Sequence, residues 1–189
     1  MRSGKGNKKT QKRKQKRVFT LKQYNSGDGM LTTVWGPGMW HYLHTMSFNY
    51  PVNPTKEQKK HYKDFIYSLV NVLPCRHCRD NLKKNLKKMP INQDSLRNRE
   101  TFSRYVYNLH ELVNKMLGKK SNLSYCDVRE RYEHFRSRCT VPVKIKKIES
   151  GCTEPLYGQK AKCQIKIVPQ TEKGKTLTID KKCIKSKQK

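Results

Sequence analysis

Two cysteines with two residues between them, Cys75 and Cys78 in the stretch LPCRHCRDNL, are the residues of this chain best placed to do chemistry. A pair at this spacing can bind zinc, form a structural disulfide or shuttle electrons. Pro74 stands directly before the pair and places it at a helix start, where free backbone N–H groups and the helix dipole stabilise a thiolate. Arg76, His77 and Arg79 add positive charge, so the surroundings suit a dithiol that attacks and is attacked. A zinc site needs two more ligands at short spacing. The next cysteines, Cys126 and Cys139, are distant and have twelve residues between them. Spacing therefore favours redox chemistry over zinc.

A second set of residues pairs by helical spacing. Trp40 and His44 stand at i and i+4, as do His110 and Asn114. Such pairs share a helix face. Each pair alone reads as core packing; together, aimed from two helices, they can sandwich and orient a planar heterocycle.

These residues need helices to hold them, and between Val34 and Cys139 the pattern is helical. A first helix follows Gly36-Pro37-Gly38, with Trp40, Leu43, His44 and Ser47 on one face. Thr55 is the expected N-cap of a second, whose apolar stripe is Tyr62, Phe65, Ile66, Leu69, Val70 and Leu73. A third starts at the cysteines and carries Leu82 and Leu86. Asp94 or Ser95 is the expected cap of a fourth, with Phe102, Tyr105, Val106, Leu109, Val113 and Met116 as its stripe and Gly118 as its stop. A short fifth spans roughly Ser124 to Arg138. Four long helices and a short one predict an all-α four-helix bundle with a fifth helix added.

Around this core the composition changes. The 189 residues carry a net charge of +29. Residues 1–17 hold nine Lys and Arg and no acid, which predicts a basic disordered arm over 1–30. That arm is a solvated tail, holds the protein near nucleic acid, or recruits acidic substrates. Beyond the core domain, 31–140, an extension over 141–189 holds thirteen Lys and four acids. Its runs VKIKKI, CQIKIV and KTLTI alternate apolar and polar residues and predict either short strands or disorder. Nothing resembles a secretory signal peptide or a transmembrane span, so the compartment stays open.

The motifs WGPGMWHYLHT (35–45), YP (50–51), PT (54–55), CRHC (75–78), LHELVNKMLGK (109–119) and YC (125–126) together resemble, in order, the signature of the Erv/ALR family of FAD-dependent sulfhydryl oxidases. The WGP opening looks most like the versions found in large DNA viruses, which would place the chain in host cytoplasm, a virus factory or a virion. The resemblance implies a helical bundle holding FAD, with Cys75–Cys78 as the redox-active disulfide. Cys75 would exchange with client thiols and Cys78 would lie nearer the flavin, and electrons would pass on to O2 to give H2O2. It implies FAD contacts from Trp40, His44, Tyr50, His110, Asn114, Lys119, Arg131 and Tyr132, a structural disulfide Cys126–Cys139, no metal, and a homodimer. Members often feed the central pair through a mobile cysteine pair. Here only the extension offers one, from Cys152, Cys163 and Cys183, Cys152 with Cys163 being the expected shuttle; the other reading is that these residues staple the extension or stay free. Three departures stand out: Glu111 replaces the family's Asn, Pro37 replaces an Arg, and the Cys126–Cys139 interval is shorter than in cellular relatives. The rival class is a basic nucleic-acid-binding or structural protein with zinc-bound or structural cysteines.

Overall fold

The computed structural model describes residues 18–139 and 151–186. Residues 1–17 of the arm expected over 1–30, and the run VKIKKI, lie outside them; within 18–30 the chain is not wholly irregular, because Thr20 and Gln23 cap a short helix at Leu21–Tyr24.

Among the described residues six α-helices follow in chain order: α1 (Leu21–Tyr24), α2 (Thr32–Phe48), α3 (Lys56–Val72), α4 (Arg76–Lys88), α5 (Arg99–Met116) and α6 (Tyr125–Glu133). The four long ones, α2 to α5, form the bundle, and α6 is the short addition. Capping sets most of the starts. Thr55 accepts from the Gln58 N–H while Gln58 reaches back to the Thr55 N–H, and Ser124 with Asp127 does the same for α6. The start of α5 falls later than the sequence suggests, because Asn98 caps it with Thr101. Ser95 is instead bonded reciprocally to Asn92 in a preceding turn.

The start of α2 also differs. The helix begins at Thr32, so Gly36-Pro37-Gly38 lies inside it. Pro37 has no N–H to give the Thr33 carbonyl and costs helix stability. Gly36 makes the arrangement tolerable: a residue before proline is pushed away from helical angles by its Cβ, and glycine has none.

Helix α2 packs against α5 and α6, and α3 against α4. The main core gathers Leu43 of α2, Ile66 and Leu69 of α3, Leu82 and Leu86 of α4, and Phe102, Val106 and Leu109 of α5. Tyr50 closes one end, fully buried, its hydroxyl donating to the Leu96 carbonyl at 3.0 Å. A second cluster joins Phe48 of α2 to Tyr125, Val128 and Tyr132 of α6. Arg136 ties the two helices by donating to the Phe48 carbonyl at 2.6 Å while paired with Glu133.

Within the extension, the described residues form no strand. Its one bridge is antiparallel, between Ser137 and Pro155. A 3-10 turn spans Lys181–Cys183. CQIKIV stays irregular, with Ile165 and Ile167 exposed, because no sheet stands beside it to bury an apolar face.

Candidate functional site

Cys75 and Cys78 are joined as a disulfide, Cα atoms 5.1 Å apart. Cys75 is itself the N-cap of α4, its sulfur accepting from the Cys78 N–H at 3.1 Å. Arg79 donates to the Leu73 carbonyl at 2.5 Å and braces the turn from the helix side. A strap of residues 27–30 braces it from above. Met30 N–H donates to the Pro74 carbonyl at 2.8 Å, and Trp35 fixes the strap by donating to the Met30 carbonyl at 3.0 Å. Gly29 is required there, since a Cβ at that position would meet the Pro74 oxygen at 2.8 Å. Among the described residues no group of three or more His, Cys, Asp or Glu converges to hold a metal.

The sulfur of Cys78 lies 3.7 Å from the Thr32 hydroxyl at the first turn of α2. Thr32 begins a row at i+4 intervals: Thr32, Gly36, Trp40, His44, Phe48. One face of α2 thus runs from the disulfide to the aromatic residues, about 12 Å from Thr32 to Trp40 at the helical rise. Gly36 is buried, and a Cβ added there would meet only the Thr32 methyl, at 3.5 Å. Between disulfide and indole, the row is bare backbone with a cradle that a larger side chain would fill.

At Trp40 the row meets α5. The His110 ring stacks on the indole with centroids 3.9 Å apart and planes 7° from parallel. His110 Nδ1 shares a 2.9 Å hydrogen bond with His44 Nε2. Burial holds both imidazoles neutral, pushing His44 down to about 3 and His110 to about 4. His44 Nδ1 is buried and has no hydrogen-bond partner among the described residues. Tyr132 of α6 closes the group, its ring 5.3 Å from that of His44 and its hydroxyl 3.3 Å from His41 Nδ1. Trp40 and His110 touch, so the sandwich expected from the sequence is instead one aromatic platform.

Of the other expected cofactor contacts, Asn114 donates to Glu111 at 3.0 Å, so the residue that departs from the family pattern occupies that amide. Lys119 is exposed beyond the end of α5, its N–H on the Asn114 carbonyl at 2.8 Å. Arg131 is half-buried on α6 beside Tyr132. Tyr50 does not belong to the group: it has no exposure, its hydroxyl is spent on Leu96, and its ring packs on Tyr62 and Phe102. Thr32, Gly36 and His41 were missed. The i+4 row could have revealed the first two, once α2 was begun at Thr32.

The expected Cys126–Cys139 disulfide is corrected. Cys139 is bonded to Cys152, Cα atoms 5.0 Å apart, and Cys126 is a free, exposed thiol. Tyr125 and Val128 take the inward positions of α6, which turns Cys126 outward. Past α6, residues 136–138 pair with 154–156 through Arg138 N–H to the Glu154 carbonyl and Leu156 N–H to the Arg136 carbonyl, both 2.8 Å, and this brings Cys152 to Cys139. The expected Cys152–Cys163 pair is not formed in this structure, where Cys163 and Cys183 are free thiols.

The donor set suits a large flat cofactor carrying phosphates. It offers an aromatic platform, an unpartnered buried ring nitrogen, a bare backbone cradle beside a disulfide, and the cations Lys119 and Arg131 at its edge. Comparison with known proteins points the same way. The sequence profile of the Erv1 / Alr family matches residues 37–135. A probable FAD-linked sulfhydryl oxidase of Acanthamoeba polyphaga mimivirus is 37% identical over 99 residues, covering 52% of this chain and 68% of that protein. The FAD-linked sulfhydryl oxidase ERV1 of Arabidopsis thaliana is 38% identical over 84 residues, 44% of this chain and 42% of its own length. Among solved structures, the FAD binding domain of Erv1 from Saccharomyces cerevisiae superposes with a TM-score of 0.50 at 26% identity, covering 55% of this chain and 94% of that one.

Proposed function

Since this chain belongs to the Erv1 / Alr family, we propose that it is an FAD-linked sulfhydryl oxidase that makes disulfide bonds in client proteins and passes their electrons to O2, releasing H2O2. The observation that carries this reading is the single face of α2 that links the Cys75–Cys78 disulfide, through Thr32 and Gly36, to Trp40 and His44. The rival reading, a zinc-bound or purely structural set of cysteines, has no such face to explain.

The protein's own part is thiol–disulfide exchange. A client thiolate attacks the Cys75 sulfur and forms a mixed disulfide, and Cys78 leaves as a thiolate. The Thr32 hydroxyl is placed to donate to that sulfur. A second client thiol then displaces Cys75, whose thiolate the Cys78 N–H and the start of α4 stabilise. Two electrons have moved from the client to Cys75 and Cys78, and the protons of the two client thiols have been released to solvent. When bound, FAD supplies the two-electron acceptor that restores the disulfide and hands the electrons to oxygen. Trp40, His44 and His110 would hold its flat rings, with Lys119 and Arg131 facing its phosphates. The strap over Pro74 keeps the reactive turn in register with α2.

Oxygen uptake with dithiothreitol tests the reading. The purified chain should consume O2 and release peroxide, and Cys75→Ser should abolish turnover. Equal uptake by the variant would overturn the assignment.

A further inference from the structure

The charge around the disulfide is unlike that of the other helices. Several acids elsewhere are paired with nearby bases, as in Lys60–Asp64 on α3, Arg104–Glu100 on α5 and Arg136–Glu133 at the end of α6. Helix α4 carries six Lys and Arg against one acid, Asp80, and none of its cations makes an ion pair among the described residues. With Leu82, Asn85 and Leu86 turned inward, the exposed side runs from Arg76 through Asp80, Lys83 and Lys84 to Lys87. Asp80 and the three lysines line a shallow groove of about 300 Å³. Arg76 and Arg79, with Asp28 of the strap, line a second groove of about 170 Å³ over Pro74.

Lys87 and Lys88 suit the C-terminal end of a helix, but Arg76 does not suit the first turn, where cations oppose the dipole and α4 has no acid. Arg76 is exposed and stands next to Cys75, so its position works against the helix and for an anion arriving at the disulfide.

Resting on the oxidase reading, we propose that the exposed face of α4 is a client-docking surface and that the preferred clients are acidic polypeptides, with Glu and Asp beside the dithiol to be oxidised. The face begins at the reactive cysteines, so a partner held along it delivers its thiols to Cys75. Complementary charge raises the encounter rate and is screened by salt.

The test uses the full chain and two synthetic peptides with the same Cys-Gly-Gly-Cys dithiol, one flanked by glutamates and the other by lysines. Reduction of the Cys75–Cys78 disulfide is followed under nitrogen by alkylation and mass, a readout that does not need the flavin. The glutamate peptide reacts about tenfold faster than the lysine peptide at low ionic strength. The gap closes toward about 1 M salt, where the screening length is about 3 Å. K83E/K84E/K87E abolishes or reverses the preference and leaves the rate with dithiothreitol unchanged. Equal peptide rates in the wild type would overturn the proposal, as would a preference that survives in the triple variant. So would peptide indifference combined with binding of a single-stranded oligonucleotide by the wild type and not the variant, which would assign the face to nucleic acid. Failure of the oxidase reading is separate and appears as absent O2 uptake with dithiothreitol.

Discussion

His110 lies ring on ring with Trp40, centroids 3.9 Å apart, while its Nδ1 meets His44 Nε2 at 2.9 Å. One imidazole therefore locks α5 to α2 through both a stack and a hydrogen bond, and both histidines are neutral because burial disfavours their charge.

That arrangement makes the apoprotein acid-sensitive. The folded-state pKa values, about 3 and about 4, lie below the ordinary 6.5. The unfolded chain thus binds more protons as the solution is acidified. The stability from this pair is complete above about 6.5 and is lost progressively as pH falls toward 4 and then 3. Melting temperature measured against pH should drop across that window, and a His44→Gln, His110→Gln double variant should have a flatter profile. Parallel profiles would contradict the assignment.

Gly36 gives a prediction about the cofactor. Leucine in its place would fill the cradle between the disulfide and Trp40. Gly36→Leu should weaken flavin retention at least about tenfold, about 1.4 kcal/mol, while the helical circular dichroism stays. A variant that purifies with full flavin would show that the cradle is not used.

The corrected disulfide can be mapped directly. Digestion without reduction should release a peptide pair joined through Cys139 and Cys152, with Cys126, Cys163 and Cys183 open to alkylation. A pair joined through Cys126 would restore the connection the sequence suggested. Opening a loop of sequence separation 13 should cost about 3 kcal/mol in the chain-entropy account. Cys152→Ala should therefore expose the extension to proteolysis.

The sequence revealed the bundle, the closeness of Cys75 to Cys78 and the shared helix face of Trp40 and His44, because helical period and cysteine spacing are local properties. It misplaced what depends on distant contacts. Tyr50 matches a motif by position, yet its hydroxyl finds Leu96 and the ring is swallowed by the core. Cys126 has the right neighbours in sequence, but Tyr125 and Val128 claim the inward face of α6. Strand-like alternation near Ile165 has no sheet to join. Pro37 read as a helix boundary by its usual behaviour, and tertiary packing of α2 on α5 and α6 overrides it.

Pro37 should accordingly be a weak point in α2. Pro37→Ala restores an N–H for the Thr33 carbonyl and should raise unfolding stability by about 1–3 kcal/mol, seen as a higher denaturant midpoint. No gain would mean that α2 begins after the proline.

The most direct test is the visible flavin absorbance of the purified protein, followed as a dithiol is added under nitrogen and air is then readmitted. The account predicts a flavin band that bleaches with the dithiol, recovers in air with peroxide release, and fails to bleach in Cys75→Ser. Protein that binds no flavin even when FAD is supplied, or a band that bleaches equally without Cys75, would contradict it.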